Sequence, residues 1–198
     1  MPETIEKTVF AYSELSESAK ERARAWWLEN YEGEADWIMG EVKEAAEMLG
    51  ISLEERQKTV AVYWRAGHCQ SDGASFAGSY SYAKGALQKI RAEYPKDETL
   101  QQIAKDLQEA QRRAFWALSA TITSRRDTSI SVDVSDGRTR YGDTTPELEA
   151  AVSEAMRDFS QWIYRLAIDT HDFQTSEENI AESMAANDYR FDEYGRIE

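Results

Sequence analysis

Residues 58–82 read KTVAVYWRAGHCQSDGASFAGSYSY, and this stretch decides the fold. Both of its ends, 58–66 and 75–82, are rich in β-branched and aromatic residues, which favour strands. The segment between them contains Asp72-Gly73, a turn signal. The stretch therefore predicts a long antiparallel hairpin.

Further strands are predicted on both sides of this hairpin. Residues 119–125 and 128–134 form a second hairpin, because Ile130, Val132 and Val134 alternate with polar residues. An opening strand is predicted at 5–12. The tail that contains Phe191 is predicted to add an edge strand.

Helical periodicity fills the remaining chain, and Thr145 with Pro146 has the pattern of a helix start. The predicted helices cover residues 17–31, 34–49, 83–94, 97–118, a long segment from 146 onward, and 177–187. The order of elements predicts an α+β fold in which an antiparallel sheet, built from hairpins, is covered by paired helices. Since no Pro/Gly/Ser-rich linker interrupts the 198 residues, we expect a single domain, 1–198.

The charge is strongly negative and unevenly distributed. The net charge is −14. Residues 13–56 carry five basic and twelve acidic groups, residues 57–140 carry thirteen and nine, and residues 141–198 carry four and fourteen. Such a chain repels nucleic acid over most of its surface and attracts basic protein surfaces. We therefore expect no direct nucleic-acid binding. Solubility is the alternative explanation of the acidity.

Several kinds of chemistry lack support in the sequence. His68, His171 and the single Cys69 do not have zinc-ligand spacing, and His171 fits the end of a helix better than a metal. Phosphate-binding glycine motifs are missing, so we expect neither a cofactor nor a metal. No apolar run is long enough for a membrane span, and the N-terminus has no signal-peptide pattern. The expected location is the cytoplasm of the cell that makes the protein.

Two polar groups of residues leave alternatives open. The loop 67–75, with His68 and Cys69, is interpreted as a structural hairpin end, as a binding loop, or as a catalytic loop. Neighbouring side chains on a strand point to opposite faces, which disfavours His68 and Cys69 as a catalytic pair. The arginines pair with the chain's own acidic flanks or with a second copy, so that a homodimer stays open, or they form a small nucleic-acid patch. They are Arg112, Arg113, Arg125, Arg126, Arg138 and Arg140.

The acidic helices are the predicted binding surface. Rigid helices hold carboxylates at spacings similar to those of DNA phosphates, so the surface could occupy a nucleic-acid channel on another protein. An ordinary solvated helix face is the alternative for any single residue. The predicted partner-binding residues are Glu29, Glu32, Glu34, Asp36, Glu147, Glu154, Asp158, Glu177, Glu178 and Glu182.

Three segments resemble a family of poorly characterised bacteriophage and prophage proteins. They are 14–20 (ELSESAK), 71–80 (SDGASFAGSY) and the ending from 180 to 191. The resemblance implies no catalytic residue. Because small acidic phage proteins include anti-CRISPR and anti-restriction factors, it implies an inhibitor that binds a host defence complex and blocks its nucleic-acid-binding surface, by DNA mimicry. The alternatives are an antitoxin-like or regulatory binding protein, and an enzyme that uses the 67–75 loop.

Overall fold

The computed structural model describes residues 7–65, 72–125 and 128–198. The chain divides into two compact units. One contains the chain ends, up to Glu34 and from Asp169 onward, and is called the terminal unit below; the other, residues 35–168, is called the central unit. That the whole chain forms one domain stays a prediction.

The described residues form an α+β protein, which confirms the predicted fold class. The helices are α1 (Glu17–Glu29), α2 (Ala35–Leu49), α3 (Ala86–Glu93), α4 (Glu98–Arg113), α5 (Pro146–Gln174) and α6 (Glu177–Ala186). The strands are β1 (Phe10–Ala11), β2 (Ile51–Leu53), β3 (Glu55–Arg56), β4 (Thr59–Val60), β5 (Val62–Arg65), β6 (Gly73–Phe76), β7 (Gly78–Ser81), β8 (Leu118–Arg125), β9 (Ser129–Asp136) and β10 (Arg190–Phe191). None of the helices in these described ranges is long and apolar enough to cross a membrane.

The main sheet of the central unit is antiparallel, with strand order β2-β7-β8-β9. The hairpin β8–β9 keeps one register from Leu118 opposite Asp136 to Arg125 opposite Ser129, as the alternation predicts. Along β8, Leu118, Ala120 and Ile122 are buried while the residues between them are exposed. One face of the sheet therefore contributes to the core, and β9 lies at an edge.

The predicted hairpin of 58–66 and 75–82 forms with two interruptions. β5 pairs with β6, with Val62 opposite Phe76, but the regular strands are interrupted at Ala61 and Ala77. At Ala77 the carbonyl accepts the Glu54 N–H, while its own N–H donates to the Ala61 carbonyl. The second strand thereby changes partner, from β5 to β2. The short hairpin β3–β4 was not predicted; its turn residues Gln57 and Lys58 have positive φ, which their residue types do not signal.

The core of the central unit is formed by the buried stripes of α2, α4 and α5 with the inner face of the sheet. Phe76 and Phe159 meet edge-to-face at 5.4 Å, and Phe159 stacks on Trp162 at 5.5 Å. Such aromatic pairs contribute about 1 kcal/mol each beyond the area that they bury. The long predicted helix from Pro146 is confirmed as α5, and its apolar stripe is this core face.

The terminal unit has a smaller core of its own. Phe191 of β10 pairs with Phe10 of β1, so the predicted edge strand of the tail is present. Its ring lies 6.5 Å from both Tyr12 and Trp26. Trp27 is only partly buried and stacks on Tyr31 at 5.0 Å. Of the predicted strand 5–12, only Phe10–Ala11 is a strand, and residues 5 and 6 lie outside the described ranges.

The helix predicted at 97–118 is too long, and this is a correction. α4 ends at Arg113, and the chain turns through Phe115 and Trp116, which both have positive φ (50° and 64°). The fully buried Gln111 stabilises the turn: its Nε2 donates to the Leu118 carbonyl at 2.8 Å, and its Oε1 accepts the Leu118 N–H at 3.2 Å. A buried amide can replace the next turn of helix because it satisfies one backbone donor and one acceptor.

Candidate functional site

The predicted partner-binding carboxylates are distributed over both units. Asp36, Glu147, Glu154 and Asp158 belong to the central unit, and the other six belong to the terminal unit. All ten are exposed except Glu34, which is half-buried. Their solvent exposure allows contact with a partner but does not by itself distinguish a site from a solvated surface. The assignment of these residues stays a prediction.

In the central unit, two predicted residues share a groove with carboxylates of a second helix. Glu154 and Asp158 of α5 line one side, and Asp106, Glu109 and Arg113 of α4 line the other. The volume is about 370 Å³. The alanines of the lining, Ala110, Ala151 and Ala155, have short side chains, which leaves the space open. We call Asp106, Glu109, Glu154 and Asp158, with the space between them, the acidic groove.

The electrostatics of the acidic groove favour a cation. Partial shielding from solvent raises the pKa of Asp158, and the Glu154 and Asp106 carboxylates raise it further, whereas Arg165 lowers it. The four negative groups have one cation in the same lining, Arg113.

Arg113 also contributes to the lowered pKa of Glu147, whose main causes are its hydrogen bonds with its own backbone N–H and with the Thr145 side chain. Two further predicted residues, Asp36 and Glu147, do not line the groove.

The acidic residues of the terminal unit lie on its helices or in the connection after α1, and the helix dipole favours the two at the start of α6. Glu177 and Glu178 lie in the first turn of α6, as predicted, behind the N-cap Ser176. Glu177 pairs with Arg24 of α1 at 2.9 Å. Glu29 ends α1, and Glu32 and Glu34 follow in the connection to α2, while Glu182 lies on α6. The pairing with Arg24 partly neutralises Glu177, so this residue is the weaker candidate for a partner's cation.

The arginines are associated with exposed aromatic rings that the sequence reasoning did not select. The Arg138 guanidinium lies 5.2 Å from the centre of the Phe115 ring, and the Trp116 ring packs on Tyr82 at 4.6 Å. Arg140 lies 5.6 Å from the Tyr141 ring centre. Phe115 is 74% exposed and Trp116 43%. We call these residues the Arg–aromatic patch; they are Tyr82, Arg112, Phe115, Trp116, Arg138, Arg140 and Tyr141.

The Arg138 side chain is held in place by a buried carboxylate. Its Nε donates to Asp136 at 2.9 Å and its Nη2 donates to the second carboxylate oxygen at 2.5 Å. These side-chain hydrogen bonds lower the pKa of Asp136. Arg138 therefore pairs with an acid of the middle segment, 57–140, whereas the predicted alternative named the acidic flanks. Arg125 is exposed at the end of β8, and Arg126 lies outside the described residues.

The loop 67–75 is described only from Asp72 onward, so His68 and Cys69 lie outside the described residues. Its last residues belong to β6, where Ser75 is fully buried and shares a 2.8 Å hydrogen bond with Ser124. His171 is exposed in the last turn of α5, where the helix dipole favours a cation. Among the described residues, no group of three or more His, Cys, Asp and Glu side chains is arranged to hold a metal ion.

The fold and composition define an acidic α+β protein whose larger unit carries both the acidic groove and the Arg–aromatic patch. Residues 35–177 match the family described as Domain of unknown function (DUF8835), and the chain belongs to that family. The match begins at Ala35, where the central unit begins, so both surfaces lie in the family region. No curated protein and no solved structure matches the chain.

Proposed function

We propose that this protein is a non-catalytic binding protein whose acidic groove receives lysine or arginine side chains from a basic surface of another protein. The proposal rests on one observation: four carboxylates from α4 and α5 surround a groove of about 370 Å³. The groove lies within the region that defines the family.

Fixed carboxylates bind cations better than flexible ones, because less conformational freedom is lost on binding. Helices α4 and α5 are both anchored by buried residues, so the main-chain positions of the four acids are set by the core. Partial shielding from solvent is the main cause of the raised pKa of Asp158, and repulsion from Glu154 and Asp106, which a bound cation would relieve, raises it further. The net charge of −14 adds long-range attraction to a basic partner.

The spacing of the acids supports the finer proposal of DNA mimicry. From Glu154 to Asp158, four residues of helix advance about 6 Å. Every second phosphate of one DNA strand lies about 6.8 Å further along the axis. A groove that normally binds DNA could therefore accept this helix. Together with the resemblance to phage proteins, this spacing supports an anti-CRISPR-like inhibitor that blocks the nucleic-acid-binding surface of a host defence complex in the bacterial cytoplasm.

The terminal unit adds separate candidates to the same proposal. Glu29, Glu32, Glu34, Glu178 and Glu182 are further carboxylates for the partner, but they lie outside the family region. A function shared by the family would depend on the acidic groove, whereas these residues would tune the affinity in this chain.

The test compares partners captured by two matched variants. The protein is immobilised and exposed to a nuclease-treated bacterial lysate at 100 and 400 mM salt, and the bound proteins are identified by mass spectrometry. Glu154→Gln/Asp158→Asn removes two charges from the acidic groove. Glu44→Gln/Glu55→Gln removes two exposed charges elsewhere in the central unit. Nucleic-acid-binding proteins should be captured by the wild type and the control but not by the groove variant.

A fluorescent nona-arginine peptide gives a direct measurement of the same binding. Loss of two partly exposed charge contacts should weaken binding by about 1–2 kcal/mol, or about 5- to 30-fold. Equal weakening in both variants would mean that only the net charge matters. Equal capture of the same proteins by both variants, or capture of a set without nucleic-acid-binding proteins, would refute the proposed function.

A further inference from the structure

The Arg–aromatic patch is built on strained backbone. Phe115 and Trp116 are consecutive non-glycine residues with φ of 50° and 64°. Such conformations are unfavourable for non-glycine residues and persist only where surrounding contacts enforce them. Here the Trp116 N–H donates to the Gln111 carbonyl at 2.7 Å, and the Gln111 side chain fixes Leu118 on the other side of the turn. The turn therefore holds two large rings at the surface.

Each ring has one side occupied and remains accessible. The Arg138 guanidinium lies over Phe115, and Tyr82 packs on Trp116. The exposures of 74% and 43% show that much of both rings still faces solvent. Arg138 cannot turn away easily, because Asp136 holds it through both carboxylate oxygens. The result is a pair of pre-positioned flat surfaces next to a fixed cation.

We propose that the Arg–aromatic patch binds single-stranded nucleic acid, with bases stacked on Phe115 and Trp116 and phosphates near Arg112 and Arg140. Exposed aromatic faces beside cations are the usual means of binding single strands without sequence readout. A second copy of the chain is a poor occupant of the same face, because a two-fold axis there would bring arginines against arginines. An acidic peptide would use the arginines but leaves the aromatic faces without planar partners.

The negative charge of the whole chain limits this binding without forbidding it. Glu109, Asp143 and Glu147 lie close in sequence to the arginines, and Asp136 is already paired with Arg138. At physiological salt, charges more than about 8 Å away are largely screened. The expectation of no direct nucleic-acid binding came from the charge of the entire chain. In the patch, Arg112 and Arg140 are both exposed; Arg112 precedes Phe115 by three residues, and Arg140 follows Gly137, whose N–H donates to the Ala117 carbonyl. We expect modest affinity and a strong dependence on salt.

The experiment measures fluorescence anisotropy of a fluorescein-labelled 15-mer of thymidine with the full-length protein. Binding should be measurable at 50 mM salt and should fall as salt rises. With two or three phosphates contacted, the slope of log K against log salt should be about −2. Arg112→Gln should make the slope shallower by about 0.7, because one phosphate contact is lost.

Phe115→Asn separates the proposed role from a structural one. Asparagine tolerates positive φ better than phenylalanine, so this variant should fold with equal or greater stability in urea. Its affinity for the oligonucleotide should fall at least about fivefold, because a stacking surface is removed. Phe115→Trp should retain binding. Phe173→Ala is the matched control, since Phe173 is an exposed phenylalanine of α5 (63%) outside the patch.

Three results would overturn the proposal. The first is no binding of the oligonucleotide at 50 mM salt up to about 100 μM protein, a concentration that covers the usual range of non-specific affinities. The second is unchanged affinity in Phe115→Asn. The third is binding of a labelled glutamate decapeptide in preference to the oligonucleotide, which would assign the patch to an acidic protein segment instead.

Discussion

Replacement of Gln111 by alanine should destabilise the central unit more than any surface change on the same helix. Gln111 is fully buried, and its amide makes hydrogen bonds to both the N–H and the carbonyl of Leu118, with a third to the Tyr80 hydroxyl at 3.2 Å. Alanine removes all three bonds. The N–H and the carbonyl of Leu118, the first residue of β8, then lack these partners.

The magnitude follows from the cost of buried unsatisfied groups. Each costs about 1–3 kcal/mol, so the two Leu118 groups together contribute about 2–6 kcal/mol, and the space left by the amide adds to this. We expect a loss of about 4 kcal/mol in the free energy of unfolding. Since a domain of this kind has about 5–15 kcal/mol in total, the loss is a large fraction of its stability.

Urea denaturation, followed by circular dichroism and tryptophan fluorescence, measures this loss. With a slope of about 2 kcal/mol per molar urea, the midpoint should shift by roughly 2 M. Gln102→Ala is the control, because Gln102 is exposed on α4, where its side-chain amide donates to Asp106. Its effect should stay below about 0.5 kcal/mol. Tyr80→Phe should lose about 1 kcal/mol, since it removes one of the three bonds.

A loss below about 1 kcal/mol in Gln111→Ala would refute the reasoning that a buried amide stabilises the turn after α4. The Phe115–Trp116 turn would then be maintained by other contacts. A large loss in Gln102→Ala would equally refute it, because the effect would belong to α4 as a whole.

Two further predictions concern pH and glycine. Burial raises the pKa of Tyr80 to about 12, from about 10 in the unfolded chain. The stabilising contribution of the neutral hydroxyl is therefore complete below pH 10 and is lost as pH rises towards 12. In urea titrations at pH 9–12, the free energy of unfolding should decline more steeply for the wild type than for Tyr80→Phe. Gly40→Ala in α2 should stabilise the protein by about 1 kcal/mol, because an added Cβ meets no atom within 4 Å. Gly78→Ala should destabilise it by about 3 kcal/mol or more, because its Cβ would clash with the Ser52 carbonyl oxygen and lie 3.1 Å from the Leu53 Cα. Thermal unfolding of both variants measures the contrast.

Much of the fold was predictable because local patterns decided it. The alternation of Ile130, Val132 and Val134 correctly indicated the hairpin β8–β9, and the capping pair Thr145-Pro146 correctly indicated where α5 begins. The partner change at Ala77 was not predictable, because it depends on hydrogen bonds from residues more than ten positions away. A sequence pattern reports the preference of a segment but not which neighbour competes for it.

The helix end at Arg113 shows a second kind of limit. Ala114, Leu118 and the residues between them continue a helical pattern, and neither Phe115 nor Trp116 signals positive φ. The tertiary contacts of Gln111 outweigh that local preference. The Arg–aromatic patch was missed for the same reason, although two adjacent aromatic residues next to Arg112-Arg113 were a signal. For the acidic groove, Glu154 and Asp158 were selected, but Asp106 and Glu109 come from a helix whose neighbour the sequence does not reveal.

The position of β9 at the edge of the sheet has a consequence for handling the protein. An eight-residue edge strand with Ile130, Val132 and Val134 offers a template for another strand, which is how folded proteins begin to aggregate. Asp133, exposed opposite Thr121, places a charge in the middle of this strand, and charged edge residues oppose such pairing. Colloidal stability should therefore decline when this charge is removed, as in Asp133→Asn.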